Sequence, residues 1–216
     1  ASVSWVRRWA DPLVKVAVVR RGGGLGAAWG LPEERQLTQE DHILDELCSL
    51  LGGRAAEQLF LSQTSTGALN DLERATKQAY AMVAFYGMSD KLKDVSFYDS
   101  TGRYDYGFTK PYSDKTAELI DQETQRIIAD QMARAKKILE EHADGHHQIA
   151  QLLIDREVIT SEDVESILGP RPWKSRGDEL LEANAEAAAQ AAPKKRSRKK
   201  KEDKSQTNDT DETNLA

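Results

Sequence analysis

The stretch Ser65-Thr66-Gly67-Ala68-Leu69-Asn70-Asp71-Leu72-Glu73-Arg74-Ala75 decides how this chain is read. Its first residues are small and polar, as a helix start requires, and Asp71 falls in the first turn, where the macrodipole favours a carboxylate. Leu72, Ala75, Ala79, Met82 and Val83 then recur at helical spacing, and Gly87 is placed to end the run. On these grounds alone Asp71 is a helix cap.

Working outward, the same periodicity predicts a mostly helical body. Upstream, Thr38 is the expected N-cap of a helix with Glu40 and Asp41 in its first turn, and Ile43, Leu44, Leu47, Leu50 and Leu51 form its apolar face. Gly52-Gly53 is expected to interrupt it, with helical character resuming from Ala55 to Phe60. Downstream, residues 91–111 read as an irregular aromatic loop, and Ser113 caps a long helix carrying Ile120, Ile127, Ile128, Ala135, Ile138 and Leu139. A break is expected at Gly145, then a short helix, then a last helix opening at Thr160-Ser161-Glu162-Asp163 and closing at Gly169-Pro170.

The front of the chain differs. Trp5, Val6 and Trp9 suggest a helix end stopped by Asp11-Pro12, and residues 14–19 are β-branched enough for a buried strand. Residues 20–24 form a turn and residues 25–31 return as a second strand, a small hairpin with Val16, Val18 and Leu31 facing inward. The fold class is therefore mainly α with a small N-terminal β hairpin.

Composition divides the chain again near its end. The run at residues 194–204 holds eight basic and two acidic residues, so the net charge of −6 conceals −12 on the remainder. Residues 174–216 lack an apolar stripe and read as a disordered tail, leaving 1–173 as the folded domain. Without interleaved aromatics the basic run reads as solvated, and nucleic acid is not an expected partner. A single cysteine, Cys48, excludes an intrachain disulfide and a Cys-based zinc module. No stretch approaches the roughly 20 apolar residues of a membrane span, so the piece given reads as soluble. Its first residue, Ala1, points to a chain processed or cut from something longer.

Three local patterns do not carry function on inspection. The glycines of residues 22–26 fit neither dinucleotide nor P-loop spacing and read as a hairpin turn. His142 and His146 stand four apart, but Ala143 follows His142 where a zincin has glutamate, and Gly145 breaks the helix, so with His147 they read as an exposed turn. His42, between Asp41 and Asp45, is expected on the surface.

The opening stretch, with Leu51-Gly52-Gly53-Arg54-Ala55-Ala56-Glu57 before it and Tyr86-Gly87-Met88-Ser89 after it, strongly resembles the peptidase domain of the FtsH family. These are membrane-anchored, ATP-dependent zinc metalloproteases. The resemblance extends through Lys110-Pro111-Tyr112-Ser113 and Leu168-Gly169-Pro170-Arg171-Pro172 and back to Asp11-Pro12-Leu13-Val14-Lys15-Val16, covering residues 1 to about 172. It implies a helical metallopeptidase fold. It also implies that Asp71 is the third protein ligand of a catalytic zinc, the other two being histidines of an H-E-x-x-H helix whose glutamate is the general base. That motif lies in the family directly before a segment similar to Ala1-Ser2-Val3-Ser4-Trp5, so it is expected upstream of Ala1. This piece alone is then expected to be inactive, with no catalytic base of its own.

By the same comparison Gly26, Ala27, Ala28, Trp29, Gly30 and Leu31 match an edge strand that pairs with substrate. Glu57 is a candidate for orienting a ligand, an exposed helix charge being the alternative. The resemblance further implies protein substrates, a homo-hexamer, and ATP and magnesium in a module outside this sequence. It implies a membrane anchor with the peptidase on the cytoplasmic side in bacteria, or in an organellar inner membrane. The competing readings are a non-catalytic scaffold subunit of a protease hexamer and a helical module binding nucleic acid through the basic run.

Overall fold

The computed structural model describes residues 1–18, 26–31, 37–97, 111–174, 182 and 184. Contacts divide the chain into Ala1–Asp178 and Glu179–Ala216. The expectation of disorder for residues 174–216 falls, apart from residues 174, 182 and 184, outside the described residues, as do the basic run, the turn at residues 20–24 and part of the aromatic loop.

The first unit is mainly helical. Its elements are α1 (Ser2–Val6), β1 (Leu13–Val18), β2 (Gly26–Gly30), α2 (Glu40–Ala56), α3 (Leu69–Ala84), α4 (Asp114–Glu141), α5 (Ala143–Arg156), β3 (Val158–Thr160) and α6 (Ser161–Leu168). The apolar stripes of α2, α3 and α4 meet in one core, where Leu47, Leu51, Ala79, Met82 and Val83 are fully buried and Ile120 nearly so. Val3 of α1, Cys48, Ala55 and the C-terminal half of α4 make a second cluster. The third joins Trp5, Leu13, Ile149, Ile159 and Val164.

Two predicted caps are present. The Ser113 hydroxyl accepts from the Thr116 amide at 3.3 Å, and Thr160 with Asp163 forms a capping box at α6. Gly87 takes the left-handed conformation (φ 63°) just beyond α3.

Several expectations are corrected. Gln39, not Thr38, is the N-cap of α2. That helix runs unbroken through Gly52-Gly53, because a side chain at Gly52 would stand only 3.1 Å from Val3 Cγ2; the glycine admits α1, so it serves packing rather than a break. The helix then ends in a π-helical turn, Glu57–Leu61. α1 ends at Val6, short of Trp9. The break after α4 falls at His142, and Gly145 sits inside α5, where a Cβ would run into Leu168 of α6.

The hairpin proves to be two strands of three. The sheet order is β2-β1-β3, antiparallel throughout, with Val16 opposite Ala28 on one side and Ile159 on the other. Val18 (38% exposed) and Leu31 (63% exposed) do not face the core; Leu13 and Ala17 are the buried residues of this pair, and Val16 packs against Ile159 and its neighbours. Glu157 (φ 62°) turns the chain from α5 into β3.

Candidate functional site

Asp71 lies in the first turn of α3, after a short 3-10 turn, Thr66–Ala68, that the Ser65 hydroxyl caps by accepting from the Gly67 amide at 3.1 Å. The loop before it is fixed from behind. The Arg54 guanidinium donates to the Ser65 carbonyl (2.8 Å) and pairs with Glu57 (3.1 Å), while Glu57 accepts from the Ser65 amide and hydroxyl. The Ser65 hydroxyl and amide, with the Arg54 charge beside them, hold Glu57 below the usual carboxylate range. Glu57 is thus spent on the loop that leads to Asp71. It is partly exposed and is not among the residues lining the cleft described next.

A cleft of about 700 Å³ brings the predicted residues together. Its lining includes Asp71 and Arg74 of α3, His42, Glu46, Ser49, Leu50 and Gly53 of α2, and Gly26, Ala27, Ala28 and Gly30 of β2. Arg74, one turn beyond Asp71, is drawn to Glu46 (3.2 Å). Trp29 is not among the lining residues, and Leu31 continues the strand by donating its amide to the Pro12 carbonyl at 2.8 Å.

His42 is a residue the sequence reading missed. It is buried, not surface, because the Trp9 ring from the segment after α1 lies 4.0 Å from its own, and Trp9 is tied down by its amide to Asp45 (3.1 Å). Nothing in the local pattern of α2 signals a partner 33 positions away. The histidines near the α4–α5 junction stay away from the cleft: His146 is stacked on Phe60 at 4.9 Å with Nδ1 3.2 Å from Ser2 Oγ, and His147 meets the edge of the same ring. Burial lowers the His146 pKa, which favours a neutral ring.

A peptidase-like helical body, with a strand edge unpaired among the described residues and a helix-borne carboxylate on one cleft, is the class defined so far. The comparisons with known proteins make it specific. Residues 1–167 match peptidase family M41, and the chain belongs to that family. It is 60% identical over 187 residues to the ATP-dependent zinc metalloprotease FtsH of Parabacteroides distasonis, covering 87% of this chain and 27% of that protein. Identity to the FtsH of Karelsulcia muelleri is 50%, covering 78% and 27%. With the mouse mitochondrial inner membrane m-AAA protease component AFG3L2 it is 39%, covering 84% and 23%. The chain therefore spans about a quarter of the length of the curated relatives it matches.

Zinc in the relatives' names calls for a donor set. Among the described residues no three His, Cys, Asp or Glu converge to hold a metal ion. Asp71 fits one position of such a set, as a half-buried carboxylate opening on the cleft, and the described residues complete no more of it. No helix among them is long and apolar enough to cross a membrane.

Proposed function

We propose that this chain is the C-terminal peptidase part of an ATP-dependent zinc metalloendopeptidase, with residues 1–173 as the folded domain and 174–216 as its tail. Asp71 supplies one zinc ligand. The two histidines and the general-base glutamate come from an H-E-x-x-H segment outside this sequence. The metal, when bound, polarises a water for attack on a peptide bond. The residues of this chain bind and align: β2 pairs its free edge with an extended substrate, and the Arg54–Glu57–Ser65 clamp fixes the loop that carries Asp71 into the cleft.

The single observation that carries this reading is the cleft itself, which β2 and Asp71 line together. Family membership over residues 1–167 supports it. The intact protein is, on this reading, a membrane-anchored homo-hexamer that degrades membrane and cytosolic proteins, using ATP and magnesium in a separate module. It is anchored in a bacterial membrane with its peptidase on the cytoplasmic side, or in an organellar inner membrane. This piece alone is inactive.

The test is metal content and proteolysis of the full-length protein with and without Asp71→Ala. One zinc per subunit and ATP-dependent casein hydrolysis are expected for the parent, with both lost in the variant. Retention of stoichiometric zinc and unchanged hydrolysis in Asp71→Ala would overturn the assignment.

A further inference from the structure

Hydrogen-bond phase along the sheet determines what the free edge of β2 presents. The Val18 amide donates to the Glu157 carbonyl at 2.8 Å, continuing the β1–β3 register in which Val16 stands opposite Ile159. Val16 and Val18 therefore direct their backbone groups toward β3, while Lys15 and Ala17 direct theirs toward β2. Their partners on β2 are Trp29 and Ala27. Backbone groups of Ala27 and Trp29 are consumed within the sheet, and those of Gly26 and Ala28 point out from the free edge.

Side chains follow the same alternation. Gly26 and Ala28 share the face of Val16 and Ile159 and carry nothing beyond a methyl group; with Ala27 and Gly30 they line the cleft. Ala27 and Trp29 share the opposite face with Lys15, whose Nζ sits 4.7 Å from the centre of the Trp29 ring. Trp29 is 42% exposed, with β1 on one side of it and no strand on the other among the described residues. A strand added antiparallel to this edge would hydrogen-bond to Gly26 and Ala28. Its residue opposite Trp29 would form a non-hydrogen-bonded pair, the arrangement in which Cα atoms come within about 4.5 Å and side chains touch most closely.

We infer that Trp29 is a specificity-determining residue, selecting an aromatic or β-branched apolar side chain at the substrate position opposite it, on the sheet face it shares with Lys15. The inference rests on the proposed role of β2 as the substrate strand. Lys15 holds one side of the indole in place, and its charge disfavours lysine or arginine at that substrate position. At the neighbouring substrate positions the strand edge itself presents only Gly26 and Ala28, nothing larger than a methyl group.

Two peptide series on the full-length protease test this. In the first, ten-residue fluorogenic peptides carry phenylalanine in place of serine at one position at a time. One position is expected to favour phenylalanine in kcat/KM by about fivefold, the upper range of a cross-strand pair. Trp29→Ala should bring that ratio to near one, Trp29→Phe should keep it, and ratios at the other positions should not move. Unchanged ratios in Trp29→Ala, or an equal loss for every peptide, overturn the inference. In the second series the same peptides are N-methylated one residue at a time. Loss of cleavage at alternate residues supports strand addition, and a flat profile sinks the substrate-strand reading itself. An alternating profile with ratios untouched by Trp29→Ala sinks only the role of Trp29.

Discussion

Glu123 of α4 is a carboxylate placed where none should be stable without partners. Its side chain is 1% exposed; it accepts from Ser89 Oγ (2.8 Å) and the Arg126 guanidinium (3.0 Å) and forms an ion pair with Lys91 Nζ (3.0 Å). Burial pushes its pKa up, but the hydrogen bonds from Arg126, Lys91 and Ser89 outweigh that and hold it down at about 2. A depressed folded-state pKa gives stability that is complete above the ordinary value near 4.5 and is lost as pH falls through about 2. Glu123→Gln should therefore cost about 2 kcal/mol near neutral pH, measured by urea unfolding, through loss of charge-assisted bonds. Its penalty should shrink as pH is lowered toward 2, and a penalty independent of pH would contradict the assignment. From sequence Glu123 is one more helix charge. Nothing local shows that Ser89 and Lys91, more than thirty positions earlier, fold back on to it.

At the scale of single elements, glycines separate what sequence shows from what it hides. Gly87 ends α3 as its position predicts, and its φ of 63° is matched by a Cβ that would stand 3.0 Å from the amide nitrogens of Asp94 and Val95. Gly87→Ala should destabilise by about 1–2 kcal/mol or more, since both conformation and space oppose it. Gly53, by contrast, lies inside α2 with nothing within 4 Å of an added Cβ. Gly53→Ala should raise stability by about 0.5–1 kcal/mol. Thermal unfolding of the two variants, with opposite signs of the shift in Tm, checks both. The amphipathic stripes of α2, α3 and α4 were legible because a helix period repeats within a dozen residues. Gly52 in α2 does not mark a break because its reason, the approach of Val3, comes from another element. His142 rather than Gly145 breaks the helix for a similar cause, since Gly145 is small to admit Leu168.

For the molecule as a whole, the sheet is where local reading fell short. A hairpin announces itself by two nearby strands and a turn, but β3 is three residues long and pairs with β1 across about 140 positions of chain. Its anchor is Ile159, fully buried among Trp5, Leu13, Ile149 and Val164, residues drawn from both ends of the unit. The same ends are stitched by the Trp5 indole N–H to the Gly169 carbonyl (3.1 Å) and by Arg171 to the carbonyls of Arg7 and Ala10. Asp71 and the β2 edge, in contrast, are singled out in the sequence by motif residues that carry the family resemblance, and both line the one cleft. β1 lies between β2 and β3, so the strand that lines the cleft is held to the helical body through Ile159. Ile159→Ala leaves a cavity in that cluster and should cost about 2–5 kcal/mol. Because β1 carries β2, the variant should also expose the β1–β2 pair to hydrogen exchange before the α2–α3–α4 core opens. Exchange that stays uniform across sheet and helices, with an unfolding midpoint near that of the parent, would show that β2 is held in place without β3.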